Sequence, residues 1–157
     1  MKDLDGARDA YIASVQCLAI VSELLTRSRK GTTFHGTIFA SQPLDDAKRL
    51  VANAQAEIED LAIVSLVSIF ERVLFAHPKS PLRSKAVRQG TPGLSNALVH
   101  FKSRVVARVF EDAERLCEYR DWVAHGKRWI RPAGVDPVSA HACLKEFLVQ
   151  AGLARKD

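Results

Sequence analysis

The sequence predicts an all-α fold: a bundle of four to five helices that includes a long antiparallel helical hairpin. Three observations carry that expectation. Apolar residues recur at helical spacing along most of the 157 residues. The stretch from Leu44 to His77 contains neither glycine nor proline. The eight glycines and six prolines fall mostly in short segments between the periodic stretches, where a chain of helices needs its turns.

The first helix is expected over Ala7–Leu25, where Tyr11, Ile12, Val15, Leu18, Ala19 and Leu25 repeat at helical spacing. Arg27-Ser28-Arg29-Lys30-Gly31 ends it, because basic side chains suit the last turn and glycine suits the residue beyond. Thr32–Pro43 holds Thr33, Phe34, Ile38 and Phe39 and fits either a short hairpin or an ordered loop. Leu44-Asp45-Asp46 opens the second helix, with acids where the helix dipole favours them. Its spacing runs through Leu50, Ala54, Ile58, Leu61, Ser65, Ile69 and Val73 to about His77. Pro78 cannot continue it without losing a backbone hydrogen bond.

Lys79–Gly93 carries Lys79, Arg83, Lys85 and Arg88 and no acid. It reads equally as a solvated connection or as a nucleic-acid contact surface. Helical spacing returns over Leu94–Ala124 through Leu98, Phe101, Val105, Val109, Phe110, Leu116 and Val123, in one helix or two. His125-Gly126 has the form of a C-terminal cap, since glycine takes the left-handed conformation freely. The last helix starts cleanly, with Asp136 as N-cap and Pro137 at the first helical position. Val138, Ala142, Phe147 and Leu148 are expected to form its apolar side.

This length suits a single domain over 1–157. A content of 47% apolar and 26% charged residues excludes a disordered chain. The run Leu61–Phe70, broken by Ser65 and Ser68, is too short to span a bilayer and reads as the buried face of a core helix. The opening MKDLDGARDA has no apolar stretch after its charges, so no signal peptide is expected and a cytoplasmic location is. Cys17, Cys117 and Cys143 are far apart, odd in number and form no CxxC. They are expected as small buried residues, without disulfide or metal, and no cofactor is expected. The net charge of +5 mildly favours an anionic partner.

The stretch with most chemistry is Arg120-Asp121-Trp122-Val123-Ala124-His125-Gly126. Arginine can clamp a phosphate with a planar, always-charged fork, and histidine can trade a proton near neutral pH. On a regular helix, residues five apart point about 140° apart. Spacing alone therefore does not stack Arg120 over His125. A helix end at His125-Gly126, or a second chain, is needed to bring them to one cavity. The plainer reading is that Arg120 pairs with an acid such as Glu71 or Glu118, and that His125 caps the helix.

The segment Glu118–Gly126 resembles the signature of the HEPN superfamily, whose members carry R-x4-6-H, usually with a polar residue after the arginine and often glycine after the histidine. Asp121 fills the polar slot, where asparagine is commoner. Ser68-Ile69-Phe70-Glu71 is similar to a small-x-Phe-Glu pattern on the second helix of several HEPN families. The order of elements also agrees. The resemblance covers most of the chain as architecture and about fifteen residues as motif. It implies a metal-independent endoribonuclease that acts as a homodimer, with two motifs facing one cleft. It equally allows a non-catalytic dimer that binds RNA, nucleotide or a protein partner. A role in toxin–antitoxin systems or antiviral defence, with an antitoxin or other regulatory protein as partner, follows from the resemblance alone.

Cleavage of RNA through its own 2′-hydroxyl needs a base, an acid and positive charge on the phosphate. A two-fold dimer supplies two histidines and two arginines where one chain supplies one of each. On this reading His125 transfers protons and Arg120 stabilises the phosphate. Asp121 orients a group across the interface, and Glu71 holds Arg120 or His125. Lys127, Arg128 and Arg131 are the candidates for gripping the RNA backbone. Trp129 and Trp122 are candidates for stacking on bases, with core or dimer interface the stronger reading for Trp122, and Tyr119 is open in the same way. His35, His77, His100 and His141 read as surface or loop histidines.

Overall fold

A computed structural model describes residues 1–27, 34–78, 80, 82, 93–126 and 135–155. The described residues form five helices and no strand: α1 (Lys2–Arg27), α2 (Leu44–Ala76), α3 (Leu94–Val99), α4 (Ala107–Ala124) and α5 (Pro137–Gln150). The described residues are all-α, as the periodicity predicts.

α1 begins five residues before the expected start. Its first turn places Asp3 and Asp5 at the positive end of the helix dipole and buries Leu4. The sequence before Tyr11 holds too few large apolar residues for periodicity to mark it. α2 has the expected extent. It begins after Pro43, and its last carbonyls accept the His77 N–H (3.0 Å from Val73 O) before Pro78. Leu94–Ala124 resolves into two helices. The break at 100–106 buries Phe101 and Val105 in successive turns, and the Gln150 side chain accepts the Val106 N–H at 2.8 Å. Residues 34–42 are successive tight turns rather than a hairpin, with Thr37 N–H donating to Phe34 O and Ala40 N–H to Thr37 O. α5 starts as expected. Asp136 Oδ1 accepts the N–H groups of Val138 and Ser139, both at 3.0 Å. Those hydrogen bonds hold its carboxyl below the usual range, first through Ser139 and against a smaller opposing effect of burial.

α1 and α2 run antiparallel. Asp3 meets Arg72 at 2.5 Å at one end, and Leu25 packs with Ala47 and Val51 at the other. α2 and α5 pack against each other and separate α1 from α4, each of which packs on both. The main core fills this rhombus. Phe147 is its centre, in edge contact with Phe70 (5.1 Å) and Phe101 (6.0 Å) and tilted on Phe110 (6.4 Å). Ile63, Leu66, Val67, Leu74, Leu98, Leu116 and Leu144 complete it. Burying each such side chain contributes roughly 1.5–3 kcal/mol.

Two expected faces are corrected. On α2 the core face is Ile63, Leu66, Val67, Phe70 and Leu74, whereas Leu50 and Leu61 are exposed and Ala54, Ile58, Ile69 and Val73 are half-buried. α2 is apolar on two sides, one toward α1 and one toward the bundle, so spacing alone does not choose between them. On α5, Phe147 and Leu148 are buried as expected, but Val138 and Ala142 are exposed. Ala140, His141 and Leu144 take their place.

α1, rather than the Leu61–Phe70 run, is the described helix long and apolar enough to cross a membrane by length and composition. Only Leu4 and Leu25 on it are buried. Cys17, expected inside, is exposed on this helix, while Cys117 is buried and Cys143 half-buried.

Candidate active site

α4 crosses α2 so that two consecutive side chains grip it at separate places. Tyr119 and Asp60 are both sealed from solvent, and the Tyr119 hydroxyl donates to Asp60 Oδ1 at 2.5 Å. Arg120 turns the other way along α2, and its Nη1 donates to Glu71 Oε2 at 3.1 Å. A buried carboxylate is costly unless it is hydrogen-bonded, and the Tyr119 hydroxyl offsets part of that cost for Asp60.

Arg120 is part-buried, with 19% of its side chain exposed. Its Nε lies 2.8 Å from Asp121 Oδ1, yet the N–H is not aimed at that oxygen and has no hydrogen-bond acceptor. This contact is therefore Coulombic attraction without a directed bond. One guanidinium thus faces two carboxylates, Glu71 across the helix pair and Asp121 beside it. The one directed hydrogen bond of the guanidinium among those described is that from Nη1 to Glu71.

His125 is the residue that ends α4. Its N–H still donates to Asp121 O at 3.0 Å, but its backbone (φ −89°, ψ 16°) has left the helix. Gly126 follows at φ +76°, donating to Val123 O at 3.0 Å, in the left-handed conformation that closes a helix. The His125 side chain is exposed. The motif thus divides into an arginine anchored against α2 and a histidine at the exposed helix end, about 7.5 Å further along the axis.

Glu71 and Asp121 both gather on Arg120. Within the chain Asp121 lies against its own neighbour Arg120. Lys127, Arg128, Arg131 and Trp129 lie outside the described residues, as do Lys79, Arg83, Lys85 and Arg88. Trp122 is buried with its ring 5.5 Å from that of Tyr119. Neither ring is free to stack on a base, because the helix face that carries them is the one turned into the core.

His141 corrects its expected place on the surface. It is 4% exposed and bonded through Nε2 to Asp5 Oδ1 at 2.9 Å, with Lys145 Nζ 3.6 Å from the same oxygen. Partial burial raises the Asp5 carboxyl, but the His141 hydrogen bond and the charges of Lys145, His141 and Arg8 outweigh it and hold the carboxyl below its usual value. A signal for both missed polar residues was present. Asp60 falls in series with Ile63, Val67, Phe70 and Leu74, and His141 with Pro137, Leu144 and Leu148, each at core spacing.

Cys117, one turn before Arg120, is no nucleophile here: burial pushes its thiol up to about 12, against the opposing pull of Arg120. Among the described residues no group of three or more His, Cys, Asp or Glu side chains is placed to hold a metal ion. No protein-family model matches the chain, and neither a curated protein nor a solved structure is significantly similar to it.

Proposed function

We propose that this chain is a metal-independent endoribonuclease of the HEPN type, with a composite site made by two copies. The observation that best supports this reading is the end of α4. The helix delivers His125 to the surface while Glu71 fixes Arg120 about one and a half turns earlier, with 19% of the Arg120 side chain still exposed. His125 of one copy takes the 2′-hydroxyl proton. The 2′-oxygen then bonds to phosphorus, the bond to the 5′-oxygen breaks, and His125 of the other copy returns a proton to that oxygen. Arg120 offsets the charge that builds on the phosphate. Because two carboxylates already face Arg120, an incoming phosphate competes with Asp121, the more exposed of the pair. The helical-hairpin architecture of that family, the cytoplasmic setting, the grip of Lys127, Arg128 and Arg131 on RNA, and control by an antitoxin belong to the same proposal.

The test is cleavage of a labelled RNA in EDTA. His125→Ala is expected to lower the rate by about 10²–10⁴-fold. Arg120→Ala is expected to do the same, and Asp121→Asn to strengthen RNA binding. Wild-type rates in both alanine variants would remove the enzymatic reading. A second reading, a non-catalytic helical module that binds RNA, nucleotide or protein, is favoured by the double occupation of Arg120. In it Arg120 serves to tie α4 to α2, and Arg120→Ala lowers stability without touching any cleavage.

A further inference from the structure

The side of α1 turned away from the rest of the chain is apolar along five turns. Gly6, Ala10, Ala13, Cys17, Ile20 and Leu24 occupy it, all exposed, with Ile20 at 58% and Leu24 at 38%. They are spaced four, three, four, three and four residues apart. That is the seam spacing of a helix that packs along another helix. A surface helix ordinarily carries polar side chains on its outward face, whereas here they stand to the sides of an apolar stripe.

The seam is graded. Its first half is small (Gly6, Ala10, Ala13, Cys17) and its second half large (Ile20, Leu24). In an antiparallel pair about a two-fold between residues 17 and 20, Cys17 meets Ile20, Ala13 meets Leu24 and Ala10 meets Arg27. Cys17 against Ile20 and Ala13 against Leu24 each set a small residue against a large one, which is how facing helices fill space without voids, and Gly6 lies outside the overlap. A parallel pair sets small against small and leaves the first half loose. Charge is compatible with the antiparallel register: it brings Arg27 (75% exposed), paired in its own chain with Glu23, beside Asp9 (64% exposed) of the other copy, paired there with Arg8, so opposite charges adjoin twice by symmetry.

A bilayer fits this helix less well. Asp9 and Glu23 stand about 21 Å apart along it, so a span of about 30 Å of hydrocarbon would bury one of them. The flank at Asp9, Gln16 and Glu23 is acidic or neutral, where a helix lying on a membrane carries lysine and arginine. We propose that the outward seam of α1 packs antiparallel against the same seam of a second copy of this chain. α2 and α5 stand between α1 and α4, so this contact is separate from any that joins two Arg120–His125 motifs.

The experiment is the solution mass of the full chain over a concentration series, by light scattering. The expected result is an assembly whose mass halves in Ile20→Glu, while the helical circular dichroism and melting temperature stay as in wild type. A wild-type chain that is monomeric throughout overturns the proposal. So does an assembly that Ile20→Glu leaves intact, or a monomer that binds phosphatidylcholine–phosphatidylglycerol vesicles through this face. Register is tested in Ala13→Cys/Leu24→Cys made with Cys17→Ala. Mild oxidation is expected to give a covalent dimer, because within one chain those two positions lie about 16 Å apart on a rigid helix. Ready disulfide pairing of native Cys17 between chains, with no pairing in that variant, shows a parallel contact and overturns the antiparallel one.

Discussion

At one end of the α1–α2 hairpin, Leu4 and Leu74 join a core of four packed helices centred on Phe147. At the other end, among the described residues, the buried cluster is Leu25, Ala47 and Val51, with Leu18, Val21, Phe34 and Phe39 half-covering them. The two helices are continuous from one end to the other, so helix propensity does not distinguish them. What differs is the number of neighbours. Near Leu74 α2 is enclosed by α1, α4 and α5, and near Val51 its described neighbours are α1 and the turns of 34–42. Stability is accordingly graded along the hairpin, as it is wherever the density of buried apolar contact changes. The motif of α4 lies beside the well-packed end, anchored through Glu71 and Asp60. The apolar seam of α1 runs from that end to the sparse one.

The largest test of this gradient is Phe147→Ala, expected to cost about 3–5 kcal/mol in urea denaturation because it opens a cavity where three other rings meet. A cost below that of a surface change would mean the centre of the core is elsewhere. Tyr119→Phe comes next, at about 1–3 kcal/mol, since it leaves the buried Asp60 without the hydroxyl it accepts from. Tyr119→Phe/Asp60→Leu is expected to recover part of that loss, which separates the lost hydroxyl–carboxylate bond from mere loss of packing. Val51→Ala, at the sparse end, is expected to cost about 1 kcal/mol. Hydrogen exchange sharpens the same comparison: amides near Val51 exchange before those near Phe70. Equal protection at both positions would break the gradient.

The smallest effect concerns acid. The Asp5 carboxyl is held below its usual value by His141 and Lys145, so its contribution is present above the unfolded-state pKa of about 3.9. It is lost as pH falls through the lower folded value. Asp5 is partly exposed, so the contribution is at most about 1 kcal/mol. Asp5→Asn is expected to lower stability at neutral pH by that amount and to flatten the acid limb of a stability-against-pH curve. An unchanged acid limb would place the acid sensitivity in other carboxyl groups.

Much of the fold was legible because helix signals are local. Pro43 and Pro78 bracket α2, Asp136-Pro137 opens α5, and His125-Gly126 closes α4, each through a backbone or capping constraint written in adjacent residues. The start of α1 was missed because its anchor is one residue, Leu4, reaching a core built by other helices. Of the candidate site, the motif and the choice of Glu71 as a partner for Arg120 could be read from residue types. The burial of Asp60 and His141 was visible only as polar residues in an apolar series, a pattern that also fits a solvated face.

The sequence by itself determined that this chain makes helices, roughly where each begins and ends, and that Arg120 and His125 flank a helix end. Those outcomes depend on spacing, caps and prolines within a few residues of each other. Tertiary structure alone decided which side of α2 and α5 enters the core, that Asp121 lies on Arg120, that Tyr119 and Trp122 are buried, and that the described residues leave the apolar outer side of α1 uncovered. Each of these depends on which helices lie alongside, and a helix apolar on more than one side does not encode that choice locally.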